Sequence, residues 1–283
     1  MKTLFRQKMV LAGSIITLTL VLVSFLGPLI SPYTIQEQTL SNALSAPSFS
    51  HWMGTDNFGR DVLVRVMEGG RISLFVGVIS QSIALIIGVP LGCLAGYFRG
   101  WTDGVVMWLV NVFWSFPYLL LVMAMNIAMA DMFSPIVRVF IAVGLVSWVL
   151  VARIVRGQVM SVKENAYIEA ARAFGFSTPR IIFRHLIPNI ITPIFVVVTL
   201  GFAEAIIAEA ALSFLGLGVE APNPSWGQMI AVHYGRIFFA QGWWIAFFPG
   251  VAIMAAVLGL NLLGDGLRDF LDPHLKDELE GAR

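Results

Sequence analysis

Long apolar runs constrain this chain more than any other feature. Six stretches, about 9–30, 73–97, 104–130, 137–152, 190–212 and 243–264, hold almost no charge. A helix needs about 20 apolar residues to cross the hydrocarbon layer of a bilayer, and five of the six stretches reach that length. The fourth is shorter and is flanked by Arg138 and Arg153. The sixth contains Pro249 and Gly250, which a buried span tolerates with a kink. Composition agrees: 58% of the residues are apolar and 12% charged, against about 25% charged in a soluble domain. That excludes a water-soluble monomer, a disordered chain and a disulfide scaffold. The lone cysteine, Cys93, sits in an apolar run and reads as packing. The expected fold is an all-α membrane protein with six transmembrane helices.

Charge placement orients the set. Lys2, Arg6 and Lys8 precede the first run as they would in a signal peptide. That run is longer than a signal core, however, and its end at Gly27-Pro28-Leu29-Ile30 is no small-x-small cleavage site, so a retained first span is expected. Basic residues concentrate in cytoplasmic loops. With the N-terminus inside, only Arg60, Arg65, Arg71, Arg138 and Arg236 of the 18 Lys and Arg residues fall outside. The bias predicts both termini in the cytoplasm, segment 153–189 inside, and loops 31–72 and 213–242 outside.

The inside segment has helical patterning from Ser161, with Tyr167, Ala170, Ala171 and Phe174 at 3.6-residue spacing and Glu169 and Arg172 between them. Gly175 stops that helix, and Ser177, Thr178 and Pro179 start a second. It runs through Ile181 until Pro188 breaks or kinks the chain. An ordinary surface loop is one reading. The length, the patterning and the aromatic residues favour a knob that docks in a groove on a partner. The outer stretch around Gly54, Asp56, Gly59, Arg60 and Asp61 is dense in turn formers. It offers too few oxygen ligands for calcium and reads as a structural turn.

Polar residues inside spans are costly and face a bundle interior or cavity. Glu204 and Glu209 lie five apart, about 140° around a helix, so one paired-carboxylate site is not expected. One lines a path and the other packs, or one serves a proton relay. Asn111 is also intramembrane, while Asn261 and Asp265 approach the inner end of the sixth span, where Asp265, Arg268 and Asp272 have ion-pair spacing. No catalytic triad or metal pattern appears among the four histidines, and none of the four lysines follows a glycine as a phosphate loop requires. No catalytic, cofactor or metal site is expected on this chain.

Four separated motifs carry a resemblance. One is Glu169-Ala170-Ala171 with Gly175, Ile181-Ile182-Phe183-Arg184-His185 and Pro188-Asn189. Another is Gly54-Thr55-Asp56, Gly59-Arg60-Asp61, Arg71 and Ser73-Leu74. The third is Glu209-Ala210 with Leu212 to Gly218 and Pro224-Ser225-Trp226-Gly227, and the fourth Phe248-Pro249-Gly250 with Asn261 to Asp269 and Leu271-Asp272-Pro273. Together they cover nearly all of residues 10–275. The chain resembles the inner-membrane permease subunit of bacterial ATP-binding-cassette importers, in the second-permease type of the dipeptide, oligopeptide and nickel branch. It departs from the common pattern at Asn111, where Asp is usual, and at Ala166.

The resemblance implies a type I importer permease fold. It divides the chain into residues 1–72 (tail, first helix and outer loop), a core permease domain over 73–275 with its coupling loop at 153–189, and a cytoplasmic tail at 276–283. It implies ATPase coupling through Tyr167, Glu169, Ala170, Ala171, Gly175, Ile181 and Pro188. It implies a second homologous permease, two cytoplasmic ATPase subunits that hold ATP and Mg2+, an external solute-binding protein, the lipid bilayer, and no nucleic acid. The cargo implied is a peptide, with nickel or a metal chelate as the alternative. A proton-coupled secondary transporter using Glu204 or Glu209 is the rival from another class; such transporters commonly show internal repeats, and none is evident. A purely structural scaffold would leave the knob without a mobile partner.

Overall fold

The computed structural model describes residues 2–235 and 241–271, and among these the only β-structure is an isolated bridge between Thr55 and Asp61. The apolar runs form helices that mostly extend beyond them. In chain order the α-helices, including those outside the runs, are α1 (Lys2–Ile30), α2 (Val62–Phe98), α3 (Gly100–Trp114), α4 (Tyr118–Ala128), α5 (Pro135–Val162), α6 (Ala166–Ala173), α7 (Thr178–Ile181), α8 (Ile187–Phe214), α9 (Trp226–His233) and α10 (Trp244–Leu271). Five stretches are long and apolar enough to cross a membrane: Lys8–Ile30, Val62–Phe98, Pro135–Val162, Thr178–Phe214 and Trp244–Arg268. The remaining run is split into α3 and α4, bent by 93° to each other. Pro117 disfavours helical geometry at the residue before it, and the helix ends at Trp114, is capped by Ser115 and restarts at Tyr118. Counting the bent pair as one span gives six.

Three boundaries differ from the sequence expectation, each for a local reason. Residues 62–72 are helix rather than loop, because Asp61 caps α2 by accepting from the Val64 N–H at 2.9 Å. The boundary placed at 72 therefore falls inside α2. Residues 153–162 belong to α5 rather than to a loop, so the fourth span is not short. Arg156 reaches Asp103 of α3 at 2.6 Å through Nη2, and Arg153 donates to the Asn111 amide oxygen at 3.1 Å. These partners let charged residues continue the helix. Finally, Pro188 does not break the chain. A π-helical segment, Ile182–Leu186, joins α7 to α8, with the Ile187 N–H donating to the Ile182 carbonyl five residues back. The wider turn makes room for the proline ring, which in an α-helix strikes the carbonyl four residues before it.

The central pair is α2 with α5. Gly88, Gly92 and Gly96 recur every four residues on α2, and a Cβ on any of them would come within 2.6–2.8 Å of the Trp148, Ala152 or Arg156 carbonyl of α5. Small residues at this spacing let two helices approach closely in a membrane. Around the pair lie Val151, Val155 and Val159 of α5 with Ile190 and Ile194 of α8. Cys93 is buried in the same cluster with a free thiol.

At the periphery, α1 packs on α10, where Gly13 sits against the backbone at Leu263. Much of the outer face of α1 is apolar and exposed, including Leu11, Ile15, Leu18 and Leu22. Pro28 has no N–H to give the Ser24 carbonyl, and the Arg71 guanidinium of α2 supplies the missing donor at 2.9 Å. A second nitrogen of the same group binds the Phe25 carbonyl at 2.8 Å.

Candidate functional site

The polar residues fall into three places along the bundle rather than one cluster. At one end, residues 54–61 form a tight turn at the start of α2. The Asp56 carboxylate accepts from the Phe58 and Arg60 N–H groups at 2.8 and 3.1 Å and pairs with Arg60 Nε at 2.6 Å. Asp61 caps α2 with one oxygen and meets His51 Nδ1 at 2.8 Å with the other. Gly54 and Gly59 have φ of +73° and +71°, and a Cβ on Gly59 would collide with the Thr39 carbonyl. Trp244 of α10 donates to the Thr55 carbonyl at 3.0 Å, locking the turn to the bundle. Both carboxylates are thus engaged within the turn.

Glu209 lies next to this end, fully buried on α8. Three serines converge on it: Ser213 at 2.7 Å, Ser225 at 2.6 Å and Ser73 at 3.4 Å. Each serine oxygen in turn accepts a backbone N–H, from Val219, Gln228 and Trp226 respectively. One carboxylate therefore ties α8, the N-cap of α9 and α2 into one network. Buried polar groups are tolerated when every member is satisfied in this way. Ser73, Ser213 and Ser225 lay within the sequence motifs, but their common partner is visible only once 73, 209 and 225 are brought together.

Midway along the bundle a cavity of about 830 Å³ opens at the α3–α4 bend. Its wall comes from the bend itself, from α5, from α8 and from Gln81 of α2. Glu204 lines it and Glu209 does not. The two carboxylates thus diverge, one onto a cavity and one into packing, as their spacing requires. Asn111 is outside the cavity, exposed, and bound to Arg153, whose guanidinium lies 3.9 Å over the Trp114 ring. Asn261 is half-buried and Asp265 exposed near the far end of α10. No ion pair joins Asp265 to Arg268 among the described residues, and Asp272 lies outside them, as does the tail at 276–283.

At the other end sits the knob. Helix α6 buries Ile168 and Ala171 against Ile181 of α7 and Leu186 of the π segment. The face bearing Tyr167, Ala170 and Phe174 is exposed, with Phe174 81% accessible. Glu169 is exposed and its carboxylate has no partner among the described residues; the helix is not capped by it. Gly175 closes α6 at φ +76°, and its N–H donates to the Arg172 carbonyl at 2.9 Å. Pro188 is exposed beside the π segment. Lys163 donates to the Tyr97 carbonyl, and Arg172 stacks 5.1 Å over the Tyr97 ring, seating the knob on the end of α2. Burial, with Arg99 and Arg172 close by, holds the Lys163 ammonium below the usual lysine pKa.

A bundle of this kind, with a broken span and a short helix pair at one end, has the fold of the membrane subunit of type I ATP-binding-cassette importers. The MetNI methionine ABC transporter in an inward-facing conformation superposes with a TM-score of 0.60 at 18% identity, covering 73% of this chain and 96% of that one. Residues 88–277 match the binding-protein-dependent transport system inner membrane component family, and residues 1–47 match the N-terminal TM domain of oligopeptide transport permease C. The chain belongs to this family of inner-membrane transport components. It is 42% identical over 275 residues to the dipeptide transport system permease protein DppC of Alkalihalophilus pseudofirmus, covering 97% of this chain and 89% of the relative. It is 39% identical to the oligopeptide transport system permease protein OppC of Bacillus subtilis, over 95% and 87% of the two chains. It is also 39% identical to the glutathione transport system permease protein GsiD of Pectobacterium atrosepticum, over 96% and 89%. The chain is a multi-pass inner-membrane permease, and these relatives are named as permease proteins of transport systems.

Proposed function

We propose that this chain is one of two permease subunits of an ATP-driven peptide importer. The observation that carries the reading is the pairing of a cavity at mid-bundle with a knob whose apolar outer face is left uncovered, in a chain whose relatives are named for dipeptide, oligopeptide and glutathione transport. The knob end faces the cytoplasm. There Tyr167, Glu169, Ala170 and Phe174 seat in a groove on a partner ATPase, while Ala171 and Ile181 hold the knob together from beneath. ATP and Mg2+ bind the two ATPase subunits, and their closure moves α6 and, through α7 and the π segment, α8. The turn at Gly54–Asp61 and the Glu209 network keep the opposite end rigid where a solute-binding protein delivers its ligand. A second homologous permease completes the path.

The test is co-expression with the neighbouring transport genes. Co-purification with two ATPases and peptide uptake dependent on both ATP and the binding protein are expected. Uptake by this chain alone, driven by a proton gradient without ATP, would overturn the reading in favour of a secondary transporter.

A further inference from the structure

Among the described residues, the wall of the cavity at the α3–α4 bend has one carboxylate, Glu204, and no Lys, Arg or His. Glu204 makes no hydrogen bond or ion pair with any described residue. The other polar groups beside it include the Ser147 hydroxyl, which donates to the Val143 carbonyl at 2.8 Å, the Gln81 amide, which donates to the Gly201 carbonyl at 2.9 Å, and the Tyr118 hydroxyl, which is hydrogen-bonded with Ser147 and lies within the field of the Glu204 carboxylate. Much of the wall at the bend is aromatic, formed by Phe113, Trp114, Phe116 and Tyr118. A carboxylate within an apolar span faces a cavity or a countercharge, and here the chain supplies the cavity without the countercharge. Aromatic faces attract cations through their quadrupole, and Trp114, Phe116 and Tyr118 are exposed at the cavity with Glu204.

We propose that this cavity receives the protonated amino group of the solute in transit, the α-ammonium of a peptide, with Glu204 as its counter-ion and the aromatic rings around it. The inference rests on the peptide-import reading and adds the chemical group that is recognised. A free amine is the one positive charge shared by all unmodified peptides regardless of side chain; the shared C-terminal carboxylate would be repelled by Glu204, which orients the amino end toward it. An anionic metal chelate would instead meet a like charge at Glu204, and Arg153, which stacks on the Trp114 ring, is already bound to Asn111. Glu209 plays no part, since its oxygens are enclosed by three serines.

The experiment uses the complete transporter in proteoliposomes, with each peptide delivered on saturated solute-binding protein. Matched tripeptides with free and acetylated amino termini are compared in the wild type, Glu204→Gln and Glu204→Asp. The wild type is expected to prefer the free amine. Glu204→Gln is expected to lower kcat/KM for the free-amine peptide by about tenfold, the scale of one charge-assisted hydrogen bond, and to leave the acetylated peptide unchanged. Glu204→Asp is expected to keep the preference. Equal loss for both peptides in Glu204→Gln, or an undiminished preference, overturns the inference. A wild-type complex that imports a different solute and no peptide overturns the functional reading instead.

Discussion

Through three serines, Glu209 joins α2, α8 and the start of α9 with one buried side chain. Replacing it with Ala leaves three buried serine hydroxyls without their acceptor, and the network joining α2, α8 and α9 opens. A loss on the order of 3 kcal/mol is expected, seen as a lower Tm of the detergent-solubilised protein. Glu209→Gln retains an oxygen for Ser213 and Ser225 and is expected to lose less; an Ala variant as stable as the Gln variant would refute the network's role. Gly59→Ala forces a Cβ into the Thr39 carbonyl at a positive φ. It is expected to unlock the 54–61 turn, with limited proteolysis cutting between 31 and 61 in the variant and not in the wild type. Both roles were half-legible in the sequence. The turn residues and the buried carboxylate stand out by type, but the partners of Glu209 are separated by up to 136 residues, and no periodicity reports such a contact.

The helices themselves were the most legible part, because a run of apolar residues answers directly to the thickness of the bilayer. Their ends were not, since these are set by side-chain partners: the Asp61 cap for α2 and the Arg156–Asp103 pair for α5. The split of the third run follows from Pro117, a signal present in the sequence but silent as to the size of the bend. The stripe of Gly88, Gly92 and Gly96 was also present, and its partner helix could not be read from it. Gly92→Leu is expected to push α2 from α5 and to abolish accumulation of folded protein, measured by size-exclusion profile in detergent. A Cβ alone would already sit 2.6 Å from the Ala152 carbonyl. Gly175→Val behaves differently, because nothing lies within 4 Å of a Cβ there. Its penalty is the positive φ alone, about 1–2 kcal/mol, confined to the turn between α6 and α7. Membrane insertion is expected to persist, with Tm lowered by only a few degrees, while ATP hydrolysis uncouples from uptake; normal uptake would contradict a coupling role for this turn.

Under the proposed function, the bundle as a unit supplies one half of a pathway. Its apolar periphery on α1 suits lipid, its central helices pack through glycine, and its two ends are built differently. The end bearing the Asp56 turn is cross-linked by buried hydrogen bonds, whereas the knob presents uncovered aromatic rings. This contrast predicts that a double variant, Tyr167→Ala with Phe174→Ala, leaves Tm almost unchanged, because exposed substitutions rarely shift stability by more than about 0.5 kcal/mol. Co-purification of the ATPase should fall sharply. Retention of the ATPase at wild-type yield would place the docking face elsewhere.

The π segment at Ile182–Leu186 carries one consequence of its own. It places one residue more in the turn than the ordinary helical repeat would, so α7 is offset in angular phase from α8 by about 100°. The knob therefore points where it does by count as much as by contact. Deleting one residue there would leave every packing side chain in the sequence yet rotate the knob around the axis of α8, as a worn key keeps its teeth but no longer meets the lock at the right angle.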